Sequence, residues 1–224
     1  MTHPTVNQRQ FDLMIFDWDG TLFDSTAIIA EAIQRAVVDV GGRDPGLERA
    51  SHVIGLGLRQ ALEWVAPDMN PSQYPELARR YAYHYERRAD DLHLFPGILE
   101  MLLALKQAGY QLAIATGKSR RGLDLTMAQL PVDGLFCASR TADQTEGKPS
   151  PRMLLELMQE CGCGSHNTLM VGDTTHDLQM ALNAGCAAVG VSYGAHPLEQ
   201  LTPLGPLFIA DSPKDLHQGL LQYA

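Results

Sequence analysis

Short apolar runs alternate with helical patterns through most of the chain, and this alternation restricts the fold more than any other feature. The strand-like runs lie at 13–16, 111–115, 135–137, 168–171, 187–191 and 207–209. From Ile98 onward, helical patterns lie between these strands over 98–108, 119–130, 151–160 and 175–184. A strand, a crossover helix and a parallel strand form a compact right-handed unit. We therefore predict a Rossmann-like parallel sheet with helices on both faces.

The strand patterns stop after the first strand and do not return for about a third of the chain. Helical patterns replace them over 25–40, 56–65 and 72–90. Asp24 or Ser25 can cap the first of these helices. The sequence therefore predicts an all-helical insertion over 22–91 and an α/β core formed by 1–21 and 92–224. An insertion that leaves a sheet just after its first strand is expected to lie over the strand ends as a cap.

Polar residues that suit phosphate chemistry follow the strand ends or lie in neighbouring loops. They are Asp17 and Asp19, Thr116 and Gly117, Lys148, and Asp173 and Asp177. Open α/β sheets keep their chemistry at the carboxyl ends of the strands, where these groups are expected to meet. Acids two residues apart repel each other, and a cation between them relieves the repulsion. A carboxylate that attacks a phosphate dianion needs the same screening.

The same residues form four motifs, D-x-D-G-T-L, T-G, K-P-x-P and G-D-x-x-x-D, in that order over 17–177. In this pattern the chain resembles the haloacid dehalogenase superfamily and, within it, the phosphoglycolate phosphatase-like group. The resemblance implies a core of that superfamily's α/β type, a small helical cap, and a Mg²⁺-dependent phosphatase. Asp19 argues against dehalogenation, because a halide leaving group needs no proton.

The resemblance also implies the catalytic and metal-binding roles. Asp17 would be the nucleophile that forms an aspartyl-phosphate. Asp19 would protonate the leaving alkoxide and then deprotonate the hydrolytic water. The Asp17 side chain, the Asp19 backbone carbonyl and Asp173 would bind Mg²⁺. Asp177 would hold a metal-bound water or orient Lys148.

Further residues would bind the substrate. By the same resemblance, Thr116 and the Gly117 amide would donate to phosphate oxygens, and Lys148 would supply positive charge. Gly117 departs from the asparagine frequent in the family, which bears on positioning more than on the reaction class. Arg59 would suit a carboxylate or second phosphate on the substrate, and a solvated helix residue is the alternative reading. His176 either contacts the substrate or has a structural role.

A small phosphorylated metabolite is the expected partner, with 2-phosphoglycolate the first candidate by resemblance. Three alternatives remain from the sequence alone. The first is a pyrophosphate or nucleotide phosphohydrolase, and the second is a sugar phosphomutase that returns the phosphoryl group. The third is a non-catalytic binding module on the same scaffold.

Composition limits the other partners. The net charge of −9 and the isoelectric point near 5.3 argue against a nucleic acid or an anionic membrane as the main partner. No apolar run is long enough to span a bilayer, and the polar residues 1–10 contain no signal core. We expect a cytoplasmic monomer or homodimer with four reduced cysteines.

Overall fold

The computed structural model describes residues 10–222. The polar segment 1–10, for which the sequence predicts no signal core, lies outside the described residues except for Gln10. The centre of the fold is a six-stranded sheet in which every pair of neighbouring strands is parallel. The strands are β1 (Leu13–Phe16), β2 (Gln111–Thr116), β3 (Ala138–Thr141), β4 (Thr168–Gly172), β5 (Ala187–Val191) and β6 (Ile209–Ala210). Their spatial order is β3-β2-β1-β4-β5-β6, so β1 lies between β2 and β4. The predicted parallel sheet is confirmed.

The helices of the described chain cover both faces of the sheet and form the region between β1 and β2. They are α1 (Thr26–Asp39), α2 (Gly46–His52), α3 (Leu58–Val65), α4 (Tyr74–Glu86), α5 (Ile98–Gln107), α6 (Arg120–Met127), α7 (Arg152–Cys161), α8 (Thr175–Ala184), α9 (Leu198–Leu201) and α10 (Pro213–Leu221). Short 3₁₀ helices occupy Pro71–Gln73, Ala89–Asp91, Ser165–Asn167 and Thr202–Leu204.

The side chains of β1 alternate between two apolar layers, because successive residues of a strand point to opposite faces. Met14 and Phe16 pack in the layer that contains buried residues of α5, α6 and α10. Leu13 and Ile15 pack in the layer that contains residues of α7 and α8. All four side chains are buried. Burial on both faces explains why β1 is a continuous apolar run.

The helices α1 to α4 lie in the chain between β1 and β2, where the sequence predicts a helical insertion. They pack around an apolar cluster of their own, which includes Ile33, Leu62 and Leu77. The two linkers that join the insertion to the sheet pair with each other. Phe23 and Leu94 form an antiparallel bridge, which two backbone hydrogen bonds flank at 2.9 and 3.0 Å. The linkers therefore lie side by side at one point of the core.

Three local predictions are wrong in detail, and one of them is the strand expected at 207–209, which lies at Ile209–Ala210. The strand expected at 135–137 lies at Ala138–Thr141, because Leu135 and Phe136 pack into the core layer beside α5 instead of extending along the sheet. Ser25 occupies the N-cap position of α1 without a side-chain capping bond. Its hydroxyl donates instead to Asp19 at 2.7 Å. The side chain therefore holds a carboxylate that follows β1 and does not cap the helix.

The structure also bears on membrane and thiol chemistry. Within residues 10–222, no helix is both long enough and apolar enough to cross a membrane. Cys137, Cys161, Cys163 and Cys186 are free thiols, as expected from the sequence.

Truncation of Leu77 should destabilise the protein, because this fully buried side chain lies at the centre of the insertion's apolar cluster. We expect Leu77→Ala to lower the free energy of unfolding by about 2–5 kcal/mol, measured by urea denaturation. Leu155→Ala is the matched control, since Leu155 also lies in a helix and is 46% exposed. Equal losses in the two variants would contradict the assignment of Leu77 to a packed core.

Candidate active site

The central strands deliver the predicted site residues to one edge of the sheet. Asp17 and Asp19 leave β1, and Thr116 ends β2. Asp173 follows β4, and Lys148 arrives from the loop before α7. Strand β1 pairs with β2 on one side and with β4 on the other, so the strand order changes direction at β1. Ligands of open α/β sheets bind at such a switch in strand order.

Lys148 joins two of the carboxylates. Its buried ammonium lies 2.7 Å from Asp17 Oδ1 and 2.6 Å from Asp177 Oδ1. Burial alone would lower the pKa of Lys148, but the charges of Asp17 and Asp177 outweigh burial and hold this pKa above its ordinary value. Lys148 is therefore a permanent cation inside the site.

Asp177 is held from its other side by the start of α8. Its Oδ2 accepts hydrogen bonds from the Thr174 backbone N–H at 3.1 Å and from the Thr174 hydroxyl at 2.6 Å. The Thr174 hydroxyl also accepts from the Asp177 backbone N–H at 3.3 Å, which completes a capping box. The helix start thus fixes the carboxylate that orients Lys148.

Asp17, Asp173 and Asp177 form a buried acidic cluster in which one oxygen of each lies within 4.8 Å of the others. Burial raises the pKa of Asp17 well above its ordinary value, and Lys148 opposes this only in part. Burial and the charge of Asp177 raise the pKa of Asp173 from 3.8 to about 7. The cluster is therefore electrostatically strained without a further cation.

The surroundings of Asp173 leave it little freedom. Its two oxygens accept hydrogen bonds from the Thr21 hydroxyl at 2.9 Å and the Ala195 backbone N–H at 2.8 Å. Gly20 has a φ of +85°, and a Cβ at that position would collide with the Asp173 carboxylate. A glycine is therefore required beside this acid.

The donor set fits a divalent metal ion. Asp17 Oδ2 is buried and has no hydrogen-bond partner within the described residues, and an unpaired buried carboxylate oxygen is costly. When ionised, the four site carboxylates carry four negative charges, and the ammonium groups of Lys148 and Lys118 offset two of them. Carboxylate oxygens are the ligands that Mg²⁺ prefers. The geometry is therefore that of a metal site built on oxygen ligands.

Asp19 is held by groups that the sequence did not single out. The Lys118 ammonium donates to Asp19 Oδ1 at 2.9 Å and to Oδ2 at 3.0 Å. It also donates to the Tyr85 hydroxyl in α4 of the insertion at 3.0 Å. Lys118 follows Thr116 by two residues. This position just beyond the end of β2 is the sequence feature that could have indicated a residue of the site. This lysine connects Asp19 to the helical insertion.

Thr116 and Gly117 lie at the end of β2, where the sequence predicts donors to phosphate oxygens. The Thr116 hydroxyl oxygen accepts the Lys118 backbone N–H at 3.2 Å, so the hydroxyl proton remains available as a donor. A Cβ on Gly117 would collide with the backbone carbonyl oxygens of Gly55 and Leu56. The insertion therefore approaches the site more closely than a side chain at position 117 would allow, which gives a physical reason for glycine there.

A cavity of about 330 Å³ lies between these residues and the insertion, and Asp17, Asp19, Thr116 and Lys118 line it. Arg59 is not among its lining residues. Its side chain is 88% exposed and pairs with Glu63 at 2.8 Å on the surface of α3. The structure thus assembles the predicted core residues and does not bring Arg59 to them.

His176 and His196 connect the core to the insertion. His196 Nδ1 accepts the Thr175 backbone N–H at 3.0 Å, so its proton lies on Nε2, which is 3.0 Å from the His52 carbonyl oxygen. His176 Nε2 lies 3.1 Å from the same oxygen. Burial lowers the pKa of His196 to about 4, so the ring is neutral. These contacts favour the structural reading of His176.

A parallel α/β sheet with buried acids and a lysine at its switch point defines a class of hydrolytic enzyme. Residues 14–191 match the haloacid dehalogenase-like hydrolases, and the chain belongs to this family. It is a phosphatase of that family.

Individual relatives narrow the comparison. The phosphoglycolate phosphatase of Vibrio vulnificus (strain YJ016) is 33% identical over 92% of this chain and 95% of its own length. "Probable phosphatase IndB" of Dickeya dadantii (strain 3937) is 35% identical over 89% of each chain. The crystal structure of a predicted phosphoglycolate phosphatase from Haemophilus somnus 129PT superimposes with a TM-score of 0.82. It is 28% identical, and the match covers 95% of this chain and 99% of that one.

A side chain at position 117 should disturb the contact between the insertion and the site. We expect Gly117→Ala to lower kcat/KM for a phosphate monoester by about tenfold or more, because an ångström-scale displacement misaligns reacting groups. Gly147→Ala is the matched control, since a Cβ there would meet only Gln60 at 3.8 Å. Wild-type kinetics in Gly117→Ala would show that the close approach is not needed for turnover.

Neutralisation of Asp173 should stabilise the metal-free protein. Because the pKa of Asp173 is raised in the folded state, wild-type stability is lost as the pH rises from about 4 to about 7. Asp173→Asn removes this loss, so its gain in Tm over wild type, measured in EDTA, should be larger at pH 8 than at pH 5.

Added Mg²⁺ should then raise the Tm of the wild type at pH 8 and leave that of Asp173→Asn unchanged. Asp133→Asn, which alters an exposed carboxylate, should behave like wild type in both measurements. A full Mg²⁺ response in Asp173→Asn would contradict the role of Asp173 as a ligand.

Proposed function

We propose that the chain is a Mg²⁺-dependent phosphatase that hydrolyses a small organic phosphate monoester through an aspartyl-phosphate on Asp17. One observation carries this proposal. The Asp17 carboxylate is buried between Lys148 and the other two acids of its cluster, Asp173 and Asp177. It lines a cavity, and its Oδ2 has no hydrogen-bond partner in the described chain. Such a carboxylate is oriented and keeps one oxygen unpaired, as a nucleophile must.

The residues around Asp17 suit the transferring phosphoryl group. Lys148 fixes Asp17 Oδ1 at 2.7 Å and would supply positive charge to a phosphate placed beside it. The Thr116 hydroxyl and the Gly117 amide would donate hydrogen bonds to phosphate oxygens. Preorganised donors of this kind stabilise the charge that develops on the equatorial oxygens.

Asp19 would serve as general acid and then as general base. It lines the cavity two residues beyond Asp17, where the leaving oxygen of an ester would lie. Ser25 and Lys118 hold its carboxylate. The Asp19 carboxylate that pairs with Lys118 would accept a proton from the hydrolytic water in the second half-reaction. Lys118 would thus be a positioning residue for the second step.

The Asp17 side chain, the Asp19 backbone carbonyl and Asp173 would hold the magnesium ion, and Asp177 would orient Lys148. A bound divalent ion would offset the repulsion between the ester dianion and the attacking carboxylate. Asp17, Asp173 and Asp177 converge within 4.8 Å, which supports this assignment.

The helical insertion, residues 22–91, would act as a cap domain over a core formed by 1–21 and 92–224. The contacts of Gly117 with Gly55 and Leu56, and of Lys118 with Tyr85, support a closed arrangement that excludes water from the site. The names of several relatives make 2-phosphoglycolate the first ester to compare with others.

A mass-spectrometric experiment tests the covalent step. Acetyl phosphate has a leaving group that needs no proton, so Asp19→Asn should still transfer its phosphoryl group to Asp17 with Mg²⁺ present. Hydrolysis of the intermediate should then be slow, and intact mass should show one added phosphoryl group. Asp17→Asn should show neither the added mass nor phosphate release.

Phosphate release from Asp17→Asn at the wild-type rate would overturn the covalent mechanism. Isomerised sugar phosphate without net phosphate release would instead identify a phosphomutase. Absence of Mg²⁺-dependent turnover on every ester and on acetyl phosphate would point to a binding module.

A further inference from the structure

The wall of the cavity that faces the catalytic residues is apolar. Its aliphatic side chains come from α1, α3 and the segment between α2 and α3, and they are Ile29, Ile33, Val53, Ile54, Leu56 and Ala61. Tyr81 and Tyr85 of α4 complete this wall, with their rings stacked at 5.9 Å. The cavity is continuous with Asp17 and Asp19, so the wall lies where the leaving group of a bound ester would project.

The insertion supplies no cation to this wall. Among the described residues that line the cavity from the insertion, the only charged side chain is Glu86. Arg59 follows the lining residue Leu58 directly, and it pairs with Glu63 outside the cavity. A carboxylate on the leaving group would therefore meet hydrocarbon and a like charge.

The core side offers no free ammonium either. An ammonium has three donors, and those of Lys118 are matched by Asp19 Oδ1, Asp19 Oδ2 and the Tyr85 hydroxyl. Arg121 lines the cavity from α6 of the core and is exposed to solvent, so it belongs to the core's side of the rim and not to the apolar wall of the insertion. Burial of a carboxylate without a charge partner is strongly unfavourable.

Apolar surface also extends to the rim of the cavity. Leu58 from the insertion is 38% exposed and Leu125 from α6 is 56% exposed, and both line the cavity. Exposed leucines on the two sides of one opening would be covered by an apolar group that enters it.

We infer that the site selects phosphate monoesters whose leaving group is an uncharged, apolar alcohol, in preference to 2-phosphoglycolate. This inference rests on the proposed phosphatase function and specifies its substrate class. The cavity residues Leu56, Leu58 and Leu125, which keep part of their surface exposed, determine the preference, because they replace water around the carbon chain of the substrate. Each methylene buried there should raise kcat/KM about fourfold.

A matched pair of esters tests the preference. Ethyl phosphate and 2-phosphoglycolate have the same number of carbons, and only the second carries a carboxylate. With Mg²⁺ present, we expect kcat/KM for ethyl phosphate to exceed that for 2-phosphoglycolate by about tenfold or more. Butyl and hexyl phosphate should be better still, since their leaving alcohols differ from ethanol in buried surface and hardly in acidity.

A cation placed on the insertion's side of the rim, where the wild type has none, should offset most of the preference. Leu58→Arg alters an already exposed residue, so the fold should tolerate it. We expect it to raise the ratio of kcat/KM for 2-phosphoglycolate to that for ethyl phosphate about tenfold. Leu155→Arg is the matched control, because Leu155 is 46% exposed on α7 and does not line the cavity. It should leave the ratio at its wild-type value.

Acetyl phosphate separates the two levels of the argument. Mg²⁺- and Asp17-dependent release from acetyl phosphate, together with a wild-type preference for 2-phosphoglycolate or a flat alkyl series, would overturn the inference and leave the proposed function standing. An unchanged ratio in Leu58→Arg would also count against the inference. Loss of release from acetyl phosphate as well would overturn the proposed function itself.

Discussion

The repulsion between carboxylates that follow β1 and β4 is the constraint on which the rest of the site depends. Asp17, Asp173 and Asp177 come within 4.8 Å of one another inside the protein, and such a cluster persists only if cations offset it. Lys148 offsets part of it from the loop before α7, and Lys118 does the same for Asp19. The remaining negative charge would be offset by a divalent ion, which prefers oxygen ligands of this kind.

Much of the fold was predictable because a strand that is buried on both faces leaves a clear pattern of apolar residues in the sequence. The central strands are continuous apolar runs, and β5 lies where the sequence placed it, at Ala187–Val191. The edge strand β3 was misplaced because only one neighbour pairs with it, so Ala138–Thr141 need not be apolar. Helices α2 and α10 were not predicted. In α2 a single residue, Ala50, is buried, and one buried position cannot produce a helical period.

The candidate site was predictable where function is tied to a strand end and was not where it depends on distant contacts. Asp17, Thr116 and Asp173 each stand at such an end. Lys118 acquires its position by pairing with Asp19, which lies 99 residues earlier in the chain, and no local pattern records that contact. The cavity likewise forms only where the insertion faces the core, and no local pattern marks its apolar wall. A search of the sequence for charged residues selected Arg59 instead.

The pairing of the two linkers has a consequence for how such a chain can vary. The Phe95 backbone N–H donates to the Leu22 carbonyl at 3.0 Å, so the chain leaves and re-enters the core at almost the same point. A segment whose ends coincide can be lengthened, shortened or exchanged without any change in the path of the strands around it. The sheet that carries the buried acids and the helices that line the cavity can therefore diverge independently.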